Sequence, residues 1–300
     1  MQQRLVSRFL ILAVLSMVSA AGAQSAPVGP MPAARPGSYA PATPSAPPPP
    51  AAPVAYGVEG TPPRSYALRF TLSPEWGYRT WLQQEPSSVD KRYVASGIPS
   101  QSARVELYPL AFGSPVEVAK DFGITFHYAR SIPGMVSHDI DTDTDFATQW
   151  YRFGFGARYR FLGGTRPIAM GVTLGVDRSV FDFESTPAAR PVAIGRYTLL
   201  PVGVDFRYAW GRFSLFADVR FLLPLTVSPP GNRTPTGARF GGHVGGGGIV
   251  RFGRYFEVEA RADYTLLYVQ LPTVGGRSNE NAKVLDQYLV FSVGPTLLLY

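Results

Sequence analysis

Between Tyr151 and Phe161 the chain alternates without a slip. Tyr151, Phe153, Phe155, Ala157, Tyr159 and Phe161 take one side, and Arg152, Gly154, Gly156, Arg158 and Arg160 take the other. Successive side chains of a β-strand point to opposite faces, so this segment as a strand has one face of rings and one of guanidinium groups and glycine. A helix would scatter both sets around its circumference. The same period of two runs through Phe256, Val258, Ala260, Ala262, Tyr264, Leu266 and Tyr268 against Glu257, Glu259, Arg261, Asp263 and Thr265. It returns in Phe213, Leu215, Ala217, Val219 and Phe221 against Ser214, Asp218 and Arg220, with Phe216 as the exception.

Applied along the chain, this template predicts ten strands, at about 65–72, 103–112, 121–129, 149–162, 167–177, 197–210, 212–223, 238–252, 255–269 and 285–300. The connections after the even strands are short: 113–120, 163–166, Gly211 alone, and 253–254. Those after the odd strands are long and polar: 73–102, 130–148, 178–196, 224–237 and 270–284. An up-and-down chain with tight turns on one side and long loops on the other is the plan of a membrane barrel. A soluble two-sheet protein with the aromatic residues as its core is the alternative architecture.

On the alternation, the loop-length rhythm and the terminal aromatic Tyr300, the segment 64–300 resembles the outer-membrane β-barrel proteins of Gram-negative bacteria as a class. The resemblance implies an all-β, up-and-down antiparallel transmembrane barrel of about ten strands, porin-like in plan. It also implies outer-membrane lipid and lipopolysaccharide as surroundings, and an insertion machinery that reads the last strand. In that class apolar residues stand in phase with the final aromatic. Here that phase holds Leu298, Thr296, Gly294, Ser292 and Val290, while Leu299, Leu297, Val293 and Phe291 in the other phase are greasier, so the facing of this strand stays open.

Ahead of the barrel, residues 1–23 read as a cleaved export signal, with Arg4 and Arg8 before an apolar stretch and Ala21-Gly22-Ala23 at its end. Residues 24–63 read as a Pro/Ala-rich extended periplasmic linker, a candidate for contact with periplasmic or cell-wall partners. After residue 23 no apolar run approaches the ~20 residues of a spanning helix. The chain has no Cys, which excludes disulfides and thiolate chemistry. Its formal charge of +7 is almost all arginine, scattered among acids rather than gathered in a stripe, which speaks against nucleic acid as a partner.

With aromatic residues outward, aromatic belts are expected near the short turns (Phe112, Phe122, Phe161, Trp210, Phe213, Phe252, Phe256, Tyr300) and near the long loops (Tyr128, Tyr151, Tyr197, Phe221, Phe240, Tyr264, Tyr268). The lumen then receives a polar network of Arg69, Arg104, Glu106, Arg152, Arg158, Arg160, Asp205, Arg207, Asp218, Arg220, Glu257, Glu259, Arg261 and Asp263, joined by Asp177, Arg239 and Arg251. Charges removed from bulk water require partners, so cross-strand bridges are expected. Glycines on the inner face, among them Gly154, Gly171, Gly203 and Gly245, make room for the arginines.

No residue is assigned as catalytic, cofactor-binding or metal-binding. Asp139, Asp141, Asp143 and Asp145 would share a side in an extended loop beside His138, but they lack the glycine and closing glutamate of a calcium loop. Gly245–Gly248 lacks the Lys-Ser/Thr ending of a phosphate loop. The expected role is therefore a non-enzymatic structural or surface-interaction component of the outer membrane. A narrow anion-biased channel comes second. A rim protease stands third, resembling the ten-stranded outer-membrane proteases, with His138 beside Asp139, or His127 beside Asp145, as its water-activating group.

Overall fold

The computed structural model describes residues 66–84, 90–112, 118–140, 143–163, 167–183, 195–228, 239–272 and 281–300. The expected export signal and Pro/Ala linker lie outside the described residues. Eleven strands follow one another: β1 (Leu68–Gln84), β2 (Lys91–Leu107), β3 (Phe122–Ser131), β4 (Val136–Asp139), β5 (Thr144–Leu162), β6 (Ile168–Phe183), β7 (Gly195–Trp210), β8 (Phe213–Ser228), β9 (Arg239–Phe252), β10 (Phe256–Pro272) and β11 (Asn281–Leu299). Neighbours are antiparallel throughout, and β1 pairs with both β11 and β2, so ten strands close into a barrel. Closure leaves no unpaired sheet edge, the condition for a sheet surrounded by hydrocarbon. The eleventh, β4, is a short addition that pairs with β2 at Ala95 and Ser96 and with β5, beyond the point where β3 ends.

Facing follows the alternation. Phe155 is 63% exposed on the outer surface, whereas Arg160 and Glu259 are each 2% exposed inside. The two-sheet alternative, which needs the reverse, is excluded. The outer surface carries Phe153, Phe161, Leu174, Val204, Leu215, Val219, Phe221, Phe291, Val293 and Leu297, all exposed. Phe216 does face inward, where its ring lies 5.3 Å from the Arg261 guanidinium. On β11 the greasier phase points outward. Leu298, Thr296, Ser292 and Val290 are buried within, and the Thr71 and Thr296 hydroxyls meet at 2.8 Å across the seam with β1.

The strands run further toward the long-loop end than the sequence suggests. The expected connection 73–102 is instead the second half of β1 and the first half of β2, joined through residues 85–90. Gly77 pairs with Ile98 but Arg79 with Ala95, so β2 holds one extra residue at Ser96-Gly97. That bulge turns the phase of β2 over: Tyr93 and Ala95 point inward before it, Ile98, Ser100 and Ser102 after it. Gly97 adopts φ +67°, which suits glycine. The bulge, together with Pro74 and Pro99, hides the alternation in this stretch of the sequence. The expected strand 103–112 also ends early, at Leu107, and Pro109–Phe112 forms a 3-10 turn.

Candidate functional site

The interior is layered along the barrel axis. At the short-turn end Tyr66, Tyr108 and Leu298 pack together, with the Arg160 guanidinium 3.9 Å from the Tyr108 ring centre and its Nε donating to Asp121 at 3.0 Å. Above them lies the charged layer. Arg158 bridges Glu106 at 2.5 Å and Asp205 through Nε at 3.0 Å, and Arg69 bridges Glu106 at 3.3 Å and Glu259 at 2.5 Å. Arg104 reaches Glu259 at 2.8 Å, while Arg207 and Arg251 share Glu257 at 2.9 and 2.8 Å. Arg261 joins Asp263 at 2.8 Å and also contacts Asp218, which Arg220 meets at 3.1 Å. Arg152 pairs with Glu75 at 2.5 Å. A Cβ at Gly171 would fall on Asp205 and Arg158, and one at Gly245 on Arg261, Asp263 and Asp218, so the missing side chains are what admit these groups.

Not every residue assigned inward on sequence grounds lies there. Arg239, the first residue of β9, is exposed at the long-loop rim and donates to the Leu225 carbonyl at 3.4 Å. Tyr197, expected in an outer belt, is buried inside and donates to Asp286 at 2.8 Å. Sequence reasoning missed Glu75, Arg79 and Asp286 altogether. The first two lie in 73–102, where the alternation predicts a loop. Asp286 stands among Val284, Tyr288 and Val290, where an apolar run on the inner face erases the polar half of the alternation.

That apolar run belongs to a third layer, across the long-loop half of the barrel. Trp81, Tyr93, Ile98, Trp150, Phe181, Leu199, Leu222, Leu267, Val269 and Tyr288 fill the interior, each at most 5% exposed. The Trp150 and Tyr288 rings stack at 5.5 Å, and Tyr93 meets Phe181 and Phe183 edge-on at 6.0 and 5.7 Å. Embedded in it, Arg79 donates to Asp286 through Nε at 2.8 Å and Nη2 at 2.6 Å, both side chains fully buried. Between the apolar layer and the tyrosine closure lies a charged cavity of about 270 Å³.

The three histidines part company. His243 faces Asp218 at 3.2 Å and Asp263 at 3.3 Å, and its Nδ1 meets Thr265 at 3.0 Å. Asp218, His243 and Asp263 are close enough to share a cation, but Arg261 already sits on both carboxylates and Arg220 on one, so a dication there would face two guanidinium charges. His127 lines the cavity 3.8 Å from Asp177, far in the fold from Asp145 at the rim. His138, exposed on β4, meets Asp145 on β5 at 2.9 Å and Asp143 at 3.5 Å. The aspartates of this hairpin do not share a side. Asp139 turns inward and accepts from the Val94 amide at 3.3 Å, because a turn separates β4 from β5; Asp141 lies outside the described residues.

No family model and no curated protein matches the sequence. Among solved structures, the outer membrane protease OmpT from Escherichia coli matches with a TM-score of 0.51 at 10% identity, over 77% of this chain and 96% of that one. The fold is that of a bacterial outer-membrane β-barrel. Weaker matches are OprG from Pseudomonas aeruginosa (TM-score 0.35, 8% identity, 81% and 100% coverage) and the translocator domain of the autotransporter NalP from Neisseria meningitidis (0.34, 12%, 76% and 89%). Within this outer-membrane barrel fold, the chain carries the apolar layer with its embedded ion pair and the charged cavity beneath it.

Proposed function

We propose that the chain is an integral outer-membrane barrel that acts as a non-conducting structural or surface-interaction component of the envelope. The observation that carries this reading is the apolar layer: aromatic and aliphatic side chains of β1, β2, β5, β6, β7, β8, β10 and β11 pack into one buried cluster inside the barrel. An ion crossing there would be stripped of water among mostly apolar side chains, where the Arg79 and Asp286 charges already satisfy each other and the Tyr197 and Tyr288 hydroxyls are committed to Asp286. A barrel of about eight strands is just filled by its own side chains, and wide pores use about sixteen to eighteen. The exposed outer residues supply the apolar band a membrane requires, which supports outer-membrane placement with lipid and lipopolysaccharide as neighbours. The expected roles of β11 in insertion and of residues 24–63 in periplasmic or cell-wall contact belong to the same proposal.

Planar-bilayer recording on the purified, refolded barrel tests it. No conductance steps above baseline are expected in molar KCl, and anion-selective steps would favour the channel reading instead.

One observation favours a second reading. The protease named in the comparison shares the fold, and His138 meets Asp145 at an exposed rim. The pair comes from direct cross-strand opposition of β4 and β5, which places any two residues together. Cleavage of a fluorogenic peptide library is expected to stay at background for the wild type. Cleavage that His138→Ala abolishes would establish the enzyme.

A further inference from the structure

The cavity of about 270 Å³ has no part in the role proposed above. Its wall is not electrically even. Each guanidinium carries five N–H donors. Arg158 and Arg261 divide theirs between two carboxylates each. Among the described residues Arg104, Arg152 and Arg220 do not: each meets a single carboxylate through a single nitrogen, respectively Nη2 to Glu259 at 2.8 Å, Nη2 to Glu75 at 2.5 Å and Nε to Asp218 at 3.1 Å. These three guanidinium side chains are 26, 26 and 30% exposed to the interior, while their carboxylates are 2, 8 and 4% exposed. The acids stand behind the wall and the donors in front of it. The three arginines and His127 line the same cavity. On that side Asp177, 3.8 Å from His127, is the carboxylate without an arginine contact among the described residues.

We propose that this cavity binds a small soluble oxyanion of the phosphate or carboxylate class, held by the spare N–H groups of Arg104, Arg152 and Arg220. Guanidinium groups bind such anions through short, charge-assisted hydrogen bonds that strengthen away from bulk water. A water needs roughly 10–15 Å³ of such volume, so the cavity holds a tetrahedral anion together with several waters. Asp177 opposes the anion by like charge and sets the limit on affinity. The inference stands apart from the conductance question, because a closed cavity and an open one have the same donors.

The test uses the full chain refolded in a non-ionic detergent, with inorganic phosphate present during refolding and then dialysed away. Calorimetric titration with phosphate, against chloride at equal ionic strength, is expected to show saturable binding near one per barrel for phosphate alone. Arg152→Gln with Arg220→Gln is expected to weaken it at least tenfold, with the heat-modifiable gel shift confirming a folded barrel. Asp177→Asn leaves every arginine pair intact and is expected to tighten binding several-fold. This second variant decides the matter if the double variant fails to refold. Equal heats in the two salts, or an affinity that Asp177→Asn leaves unchanged or lowers, would overturn the proposal.

Discussion

Arg79→Ala is expected to lower the unfolding free energy of the barrel by about 3–5 kcal/mol, the usual cost of leaving one partner of a buried ion pair alone. Asp286 is fully buried and receives four donors: Nε and Nη2 of Arg79, the Tyr197 hydroxyl at 2.8 Å and the Tyr288 hydroxyl at 2.7 Å. The guanidinium in turn lies 4.0 Å from the Phe181 ring centre and 5.3 Å from that of Tyr288. The cluster thus ties β1 and β11, next to each other at the seam, to β6 and β7 across the lumen. Without Arg79 the carboxylate keeps two neutral donors in an apolar layer, far too little for an ionised group. Urea unfolding in detergent, followed by tryptophan fluorescence and by the gel shift, measures the loss. The double replacement Arg79→Met with Asp286→Leu removes both charges at similar volume and is expected to recover most of it. An unchanged midpoint for Arg79→Ala would mean that the pair does not hold the layer together.

Gly294→Val is expected to have a larger effect and to abolish refolding. Gly294 lies on the inner face of β11 where that strand crosses β1, and a Cβ there would fall on the Leu72 carbonyl oxygen and on Ser73. The obstacle is backbone, which cannot swing aside as a side chain end can. The ladder is already interrupted at this point: Thr71 pairs with Thr296 and Glu75 with Ser292, and Pro74 between them has no N–H to give. Because this seam joins the first barrel strand to the last, moving it apart unzips the closure rather than denting one wall. Refolding yield read as the heat-modifiable band on a gel is expected to fall to background. Gly248→Ala, on the outer face with its nearest atom 4.0 Å away, is the matched control and is expected to refold as the wild type does.

Where one face of a strand meets apolar surroundings and the other carries charge, the sequence states the facing outright. The stretch Tyr151–Phe161 and the stretch Phe256–Asp263 are of this kind, and with them came the antiparallel plan and the inward charges Arg158, Arg160, Glu257, Glu259, Arg261 and Asp263. Long-loop strand ends were unreadable for a physical reason. There the inner face is itself apolar, with Phe181, Phe183, Leu267, Val269, Val284 and Val290 turned to the axis, so both faces read alike and the alternation vanishes. On β2 the bulge at Ser96-Gly97 inverts the phase midway, and no period survives an inversion.

That the chain forms strands with a greasy and a charged side is written in its residues alone, because the period of two is a property of the backbone that each residue reports locally. Which arginine meets which carboxylate, and that buried apolar side chains gather in the long-loop half of the lumen, emerges from the folded barrel. Arg79 and Asp286 are 207 positions apart, and Arg69 and Glu259 are 190 apart. Such pairs are set by the register and closure of the whole barrel, quantities that no single stretch of the chain contains.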